Sequence, residues 1–436
     1  MRNTKLKKQQ PEEAQAQAGI TRRDALKLGG VALAGAGSTA LFGGCNANPA
    51  AGALSSTASA TSSATSASLQ DTSSTSTDNS LSGDRSNVPA DATGSQITEA
   101  TSMAEPTNME IEIDEPGVEI RYNIVDGHLH YCDFLEKTDG FPALVRAQDA
   151  SGVSESVIFG MGIAKQWDEH IDVAPSYYLS NDSRCYYYSA TDFLLAEDLL
   201  AQSDEIRRRF HPFCCGINGN DRFAANHIRQ LLKVYPNFWE GIGELMSRHD
   251  DLTALTYGEP PHLDHPAFLE IFDLGAEEKL PVLVHHNITA QNSEQILYLD
   301  ELKRAVSHNP ACKIIWAHVG ISRRVEIQHL PEIAAGMLDA HPNLYTDISW
   351  VVYDYYVKDN FPDRYEDGNS FDDWINLCEE YSDRIIIGTD KVGHWKSYPA
   401  EVVKYYDLLD KLQPETAVKI AHDNILGIVK RYDAHA

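Results

Sequence analysis

Short runs of apolar and β-branched residues recur along the chain from about residue 122, and longer stretches of helical periodicity separate them. The strand-like runs are Tyr122–His130, Ser156–Gly162, Phe210–Gly216, Glu240–Met246, Val282–His286, Lys313–His318, Leu344–Ser349 and Arg384–Asp390. The helix-like stretches are Phe141–Ala150, Thr191–Arg209, Arg222–Tyr235, Pro266–Lys279, Ser293–Ser307, Glu326–Ala340, Ser370–Tyr381 and Ala400–Lys411. Eight strands alternating with eight helices is the count that a closed parallel barrel requires. Capping residues support two helix starts, Asn292-Ser293-Glu294 and Ser370-Phe371-Asp372-Asp373. The pattern therefore predicts an α/β chain folded as a (β/α)₈ TIM barrel over residues 111–436, with no internal repeat.

The residues before it follow other rules. Thr21-Arg22-Arg23-Asp24-Ala25-Leu26-Lys27 has the twin-arginine export pattern, with Ala25 where a bulky apolar residue is usual. The weakly apolar run Leu28–Gly44 is too short and glycine-rich for a stable membrane span. Cys45 closes Leu41-Phe42-Gly43-Gly44-Cys45, a lipoprotein-like cleavage box in which Phe42 stands where Leu is preferred. Residues 1–45 are thus expected to be a signal, and the protein to be exported to the periplasm or cell surface, anchored by lipid at Cys45. Residues 46–110, rich in Ser, Thr and Ala, cannot bury enough apolar surface to offset ordering entropy and read as a disordered linker or stalk.

Charge narrows the partners. The chain carries a formal charge of −28. The leader holds seven Lys/Arg and three Asp/Glu, so its removal takes the balance from −28 to −32. So acidic a surface repels nucleic acid and anionic headgroups, which leaves a small-molecule substrate and a membrane approached only through Cys45. Self-association stays open. Of seven cysteines none forms a Cys-x-x-Cys pair. With Cys45 lipidated six remain, and spacing does not say whether any pair. Cys214 and Cys215 lie in an apolar strand and read as core.

The candidate chemistry sits at strand ends. His128 and His130 close the first run, and residues i and i+2 of a strand share a face, so both imidazoles can reach one metal ion. Glu244, His285, His318 and Asp390 lie at or near the ends of the fourth, fifth, sixth and eighth runs. The carboxyl ends of the strands are where such a barrel keeps its active site. Two long loops there, Lys165–Ala190 and Val351–Asn369, are rich in Tyr, and a third, Ser247–His265, carries Asp, Pro and His. The aromatics either wall a mouth for a ring-bearing substrate or pack the loops on one another.

The order D-G-H-L-H, V-L-V-H, W-A-H-V-G and G-T-D, followed by A-H-D-N-I-L, resembles the amidohydrolase superfamily, in its amidohydrolase-related branch, from about Asn123 to Val429. The resemblance implies one or two divalent ions, zinc first, held by His128, His130, His285 and Asp390, with His318 as a second-metal ligand or as the residue orienting a water. Glu244 is a ligand, a supporting carboxylate or a salt-bridge partner for Arg248, Asp347 a supporting carboxylate for a ligand histidine, and His286 points to the opposite strand face. Asp390 and His318 are the implied catalytic pair. The implied activity is hydrolysis of a C–N, C–O or lactone bond by activated water. A metal-dependent decarboxylase of an aryl or unsaturated carboxylate is the alternative, and a non-catalytic binding barrel the third reading.

Overall fold

The structure is a computed structural model that describes residues 111–167, 173–249, 251–293, 295–325, 327–354 and 368–432. The signal, Cys45, the linker, and Tyr355, Tyr356, Phe361 and Tyr365 of the second aromatic loop lie outside the described residues. The described residues fall in the compact unit Thr98–Ala436.

All eight expected strands form: β1 (Ile124–His130), β2 (Val153–Phe159), β3 (Phe210–Cys214), β4 (Gly241–Ser247), β5 (Val282–His286), β6 (Ile314–Trp316), β7 (Leu344–Asp347) and β8 (Ile385–Ile386), with a short β9 at Lys391–Val392. They pair in parallel in chain order from β1 to β8, and β9 pairs with the free side of β1. Closure follows from the hydrogen bonds of one segment. Its first half pairs with β7, whereas Gly127 N donates to Ile387 O (3.0 Å) and Asp390 N to His128 O (2.8 Å). The ring is therefore complete, a (β/α)₈ barrel with an irregular eighth strand.

Side chains alternate between two apolar layers, as the period of two requires. Val125, Val157, Phe159, Phe213, Leu283, Ile315 and Ile386 fill the barrel, with Ile425, Ile428 and Val429 of the C-terminal segment packed among them. Ile124, Leu129, Ile158, Cys214, Val282, Val284, Ile314 and Ile385 face the helices instead. The outer helices are α1 (Gly140–Ser151), α2 (Thr191–Leu200), α3 (Ala224–Val234), α4 (Pro266–Glu278), α5 (Leu299–His308), α6 (Leu330–Ala340), α7 (Phe371–Glu380) and α8 (Tyr398–Val403).

Several boundaries depart from the pattern, the sixth helix beginning at Leu330 rather than Glu326 among them. The stretch Thr191–Arg209 divides, with a separate turn at Asp204–Arg207 that Ser203 caps. The fifth helix begins at Leu299, and Ser293 instead closes a turn through its hydroxyl, which accepts from Gln295 N. A capping residue competes for turns as well as for helix starts, and here the turn wins. The last stretch breaks into Tyr398–Val403 and Tyr406–Leu409. The capping box Ser370/Asp373 forms as expected. All six described cysteines are free and buried. No helix among the described residues is long and apolar enough to cross a membrane.

Candidate metal centre

Irregular strand ends bring the polar residues inside. In β1, Val125 faces the barrel, so strict alternation from it would turn His128 and His130 outward, yet Leu129 between them faces the helices. A register shift between Asp126 and Leu129 reverses the phase and aims both rings inward. Gly127 occupies the shift, where a Cβ would lie 2.4 Å from Ile386 Cγ2 and 2.9 Å from Ile387 O. Glu244 turns inward by the same device. Pairing shifts between Ile242 and Leu245, and Gly243 takes φ +135°, a conformation closed to L side chains. His318 (φ 53°), Trp350 (φ 46°) and Asp390 (φ 50°) also adopt left-handed backbone. Such conformations gather at sites whose surroundings hold them.

Two overlapping sets, His128/His130/Asp390 and His128/Glu244/His318, each place three ligand-capable atoms within 4.8 Å of one another. Glu244 stands at the middle. Its carboxylate oxygens lie 3.4 Å from His130 Nε2, 3.2 Å from His285 Nδ1, 3.4 Å from His318 Nε2 and 3.7 Å from His128 Nε2. Asp390 lies 3.1 Å from His130 Nε2, 3.4 Å from His128 Nε2 and 3.6 Å from His318 Nε2. Neither set contains His285. The sequence groups it with His128, His130 and Asp390, but in the structure it stands beside Glu244, with its ring 5.2 Å from that of His318.

The outward hydrogen bonds fix the proton on each ring. His128 Nδ1 donates to Asp347 Oδ2 (3.0 Å) and His130 Nδ1 to the Gly160 carbonyl (2.7 Å), since both partners only accept. Ser349 Oγ spends its proton on Asp347 Oδ1, so His318 Nδ1 donates to Ser349 Oγ (2.7 Å). Asn287 Nδ2 donates to Ser322, which leaves Asn287 Oδ1 to accept from His285 Nε2 (3.0 Å). In the neutral rings every inward nitrogen then carries a lone pair, and each faces a carboxylate. His128 Nε2 is buried without a hydrogen-bond partner. Lone pairs of four imidazoles and two carboxylates aimed at one volume repel unless a cation lies among them, and outward acceptors of this kind orient histidine ligands in metal sites. The residues present fit one or two divalent ions with nitrogen and oxygen ligands.

Without a cation, protons take that role. Burial opposes charge on His128 and His130, but the surrounding carboxylates outweigh it and raise both pKa values. Burial likewise opposes charge on His318, and its neighbours, Asp347 foremost, push it up to about 9. Glu244 and Asp390 are held low by the imidazoles against the cost of burial. His285 differs: burial and the neighbouring His249 bring it down to about 4, so it stays neutral.

Asp126 and Asp347 brace the centre. Asp126 Oδ1 accepts from the backbone N–H groups of His128 (3.1 Å) and Thr389 (2.9 Å), and its Oδ2 from Thr389 Oγ1 (2.7 Å) and Tyr398 Oη (2.9 Å). The first Asp of D-G-H and the Thr of G-T-D are thereby one device that ties β1 to the Asp390 turn. Asp347, read from the sequence as a supporting carboxylate, bridges His128, His318 N and Ser349. His286 faces outward as expected, its Nε2 donating to the Tyr298 carbonyl.

A cavity of about 110 Å³ opens above the cluster. Its floor includes Glu244, His318 and Asp390, and its walls include Phe134, Tyr177, Tyr178, Met246 and Trp350. The Lys165–Ala190 aromatics therefore divide. Tyr177 and Tyr178 wall the cavity, whereas Tyr186 donates to Glu136 and Tyr188 to Asp221. The pattern of the sequence did not single out Phe134, His249, Asp251, Arg323 or Trp350, because loop residues follow no period.

Fold and site together describe a parallel (β/α)₈ barrel with a histidine–carboxylate cluster at the carboxyl ends of its strands. No protein-family model and no curated protein matches the chain. Among solved structures, an amidohydrolase from Burkholderia multivorans with bound zinc is similar at 10% identity, covering 70% of this chain and 99% of its own, with a TM-score of 0.44. An uncharacterized TIM-barrel protein from Bordetella bronchiseptica is 16% identical over 70% of this chain and 97% of its own, with a TM-score of 0.43. A 2,6-dihydroxybenzoate decarboxylase from Rhizobium is 13% identical over 71% of this chain and 98% of its own, with a TM-score of 0.40.

Proposed function

We propose that the protein is a metal-dependent enzyme of the amidohydrolase superfamily that hydrolyses a C–N, C–O or lactone bond of a small molecule. The observation that carries this reading is the arrangement of four imidazoles, each with its outer nitrogen bonded to an acceptor and its inner nitrogen facing Glu244 or Asp390. We assign His128, His130, Glu244 and Asp390 to holding a divalent ion, zinc first, with His285 and His318 completing the set. A divalent ion there supplies Lewis acidity, which brings the pKa of water from 15.7 to about 7 and draws electron density from a substrate oxygen.

The protein's own groups do the rest. Asp390 has 12% of its side chain exposed against 2% for Glu244, so it is the carboxylate that opens to the cavity. Its place beside His128 and His130 and its opening to the cavity let it take a proton from the attacking water and return it to the leaving group. His318, held by Ser349, directs the lone pair of Nε2 toward the same space, where it accepts a hydrogen bond from the attacking water and orients it. The ring-lined walls exclude bulk water, which strengthens each of these interactions.

Those walls also favour a second reading, decarboxylation of an aryl or unsaturated carboxylate, in which Asp390 would deliver the proton to carbon. Residues 1–45 complete the proposal as an export signal with lipid anchoring at Cys45. Elemental analysis of the purified protein, followed by lactone, amide and ester turnover with the metal it holds, tests the hydrolase. Carbon dioxide release from aryl carboxylates without hydrolysis selects the lyase. Protein that neither retains nor takes up a divalent ion refutes both.

A further inference from the structure

Three loops meet behind the cavity wall, at Arg323. Nη1 donates to Tyr177 Oη (2.6 Å), Nη2 to Tyr178 Oη (2.7 Å) and Asp251 Oδ2 (2.9 Å), and Nε to Asp251 Oδ2 (3.2 Å). Tyr178 Oη in turn donates to Asp251 Oδ1 (2.8 Å). Four of the five guanidinium N–H donors are thus directed at these neighbours. Arg323 itself is not among the residues that line the cavity. The guanidinium carbon lies 5.1 Å and 5.2 Å from the Tyr177 and Tyr178 ring centres, and the two rings are 4.5 Å apart. Phe134 packs against both, at 5.3 Å and 4.5 Å. On the other side Asp251 Oδ1 holds His249 Nδ1 at 3.0 Å, and the His249 ring stacks on His285 at 4.4 Å.

We propose that the Arg323–Asp251 pair is a positioning device that sets substrate selectivity, by locking the rings of Tyr177 and Tyr178, tilted 45° to each other, into an apolar wall for a ring-bearing substrate. The proposal rests on the metal-centre reading above, because the wall selects only a ligand that the centre also holds. The phenol oxygens are held on the ion pair, so the tyrosines border the cavity with ring carbons rather than hydroxyls. A planar fork is needed to serve two hydroxyls and a carboxylate at once, and an ammonium cannot reproduce it. Asp251 is buried, and deleting Arg323 would leave its charge to Arg324 Nε at 3.5 Å and His249 at 3.0 Å. The informative changes are therefore conservative ones.

The experiment uses the zinc-loaded protein and two probes with the same chelating head, acetohydroxamate and benzohydroxamate, titrated by calorimetry. The head reads the metal and the ring reads the wall. The wild type is expected to bind the phenyl probe about tenfold or more tightly than the methyl probe, from ring burial. Arg323→Lys should bring the ratio close to one while acetohydroxamate affinity stays within about twofold. Tyr178→Phe keeps the ring and removes its bonds to Arg323 and Asp251, so it should lower the ratio part of the way, and it carries the test if Arg323→Lys fails to fold. A wild-type ratio near one, or a full ratio in a folded Arg323→Lys or in Tyr178→Phe, overturns the proposal. Binding of neither probe to any form removes the metal reading on which it rests.

Discussion

Asp347→Asn tests whether the outward hydrogen bonds select the tautomers that bind metal. Asp347 Oδ1 accepts from His318 N (3.0 Å), Ser349 N (3.1 Å) and Ser349 Oγ (2.6 Å), while Oδ2 accepts from His128 Nδ1 (3.0 Å). Three donors would keep an asparagine's carbonyl oxygen at the first position and so place its amide nitrogen at the second. An amide nitrogen only donates, so His128 would have to accept at Nδ1 and carry its proton on Nε2. That nitrogen is the one facing Asp390 and Glu244, and once protonated it cannot be a ligand. Loss of such a partner typically costs about 10–100-fold in metal affinity, or about 1.4–2.7 kcal/mol. The assay is competition for zinc between metal-free protein and a fluorescent chelator, with His128→Ala as the reference for a lost ligand and circular dichroism as the check on folding. Wild-type affinity in a folded Asp347→Asn, alongside weak binding by His128→Ala, would refute the tautomer argument.

Asp390→Asn should retain metal and lose turnover by roughly 10²–10⁴, the usual worth of acid–base catalysis, whereas His128→Ala should lose metal and turnover together; near-normal turnover of the Asn variant would pass the proton-transfer role to His318. Gly243→Ala should lower the melting temperature through about 1–3 kcal/mol of backbone strain and weaken zinc binding by displacing Glu244, since its Cβ would lie 2.4 Å from Leu283 O. His211, far from the centre, lies between Glu240 (2.5 Å) and Glu155 (2.9 Å), and Glu155 also pairs with Arg431. Burial opposes its charge, yet the two glutamates raise its pKa above 6.5. A raised folded value means that the stabilisation is complete below the ordinary value and is lost as pH rises through the folded one. The melting-temperature gap between wild type and His211→Gln should therefore be widest below the ordinary histidine value of about 6.5 and shrink as the pH rises above it, and a gap independent of pH would show that the group does not titrate as argued.

The sequence by itself determined the architecture and the stock of the site. Eight buried strands announce themselves because a parallel barrel strand is apolar on both faces, and eight helices because one face of each must be covered. The polar residues that end those runs are conspicuous for the same reason: His128, His130, Glu244, His285, His318 and Asp390 each interrupt or close an apolar segment. Which way they point was not legible. Alternation from Val125 would have turned the first two histidines outward, and only the register shifts at Gly127 and Gly243 and the left-handed backbone at His318 bring the set together. Such shifts depend on how neighbouring strands meet, which a single strand's residues do not encode. The central place of Glu244 and the position of His285 beside it were decided at the same level. So were the contacts of Arg323, Asp251 and Tyr177, separated in sequence by up to 146 positions and joined only where loops from three strands converge. Local periodicity reports burial, and burial builds the barrel. The geometry of the site comes from strand ends and loops, where closure of the ring and packing between distant segments set direction.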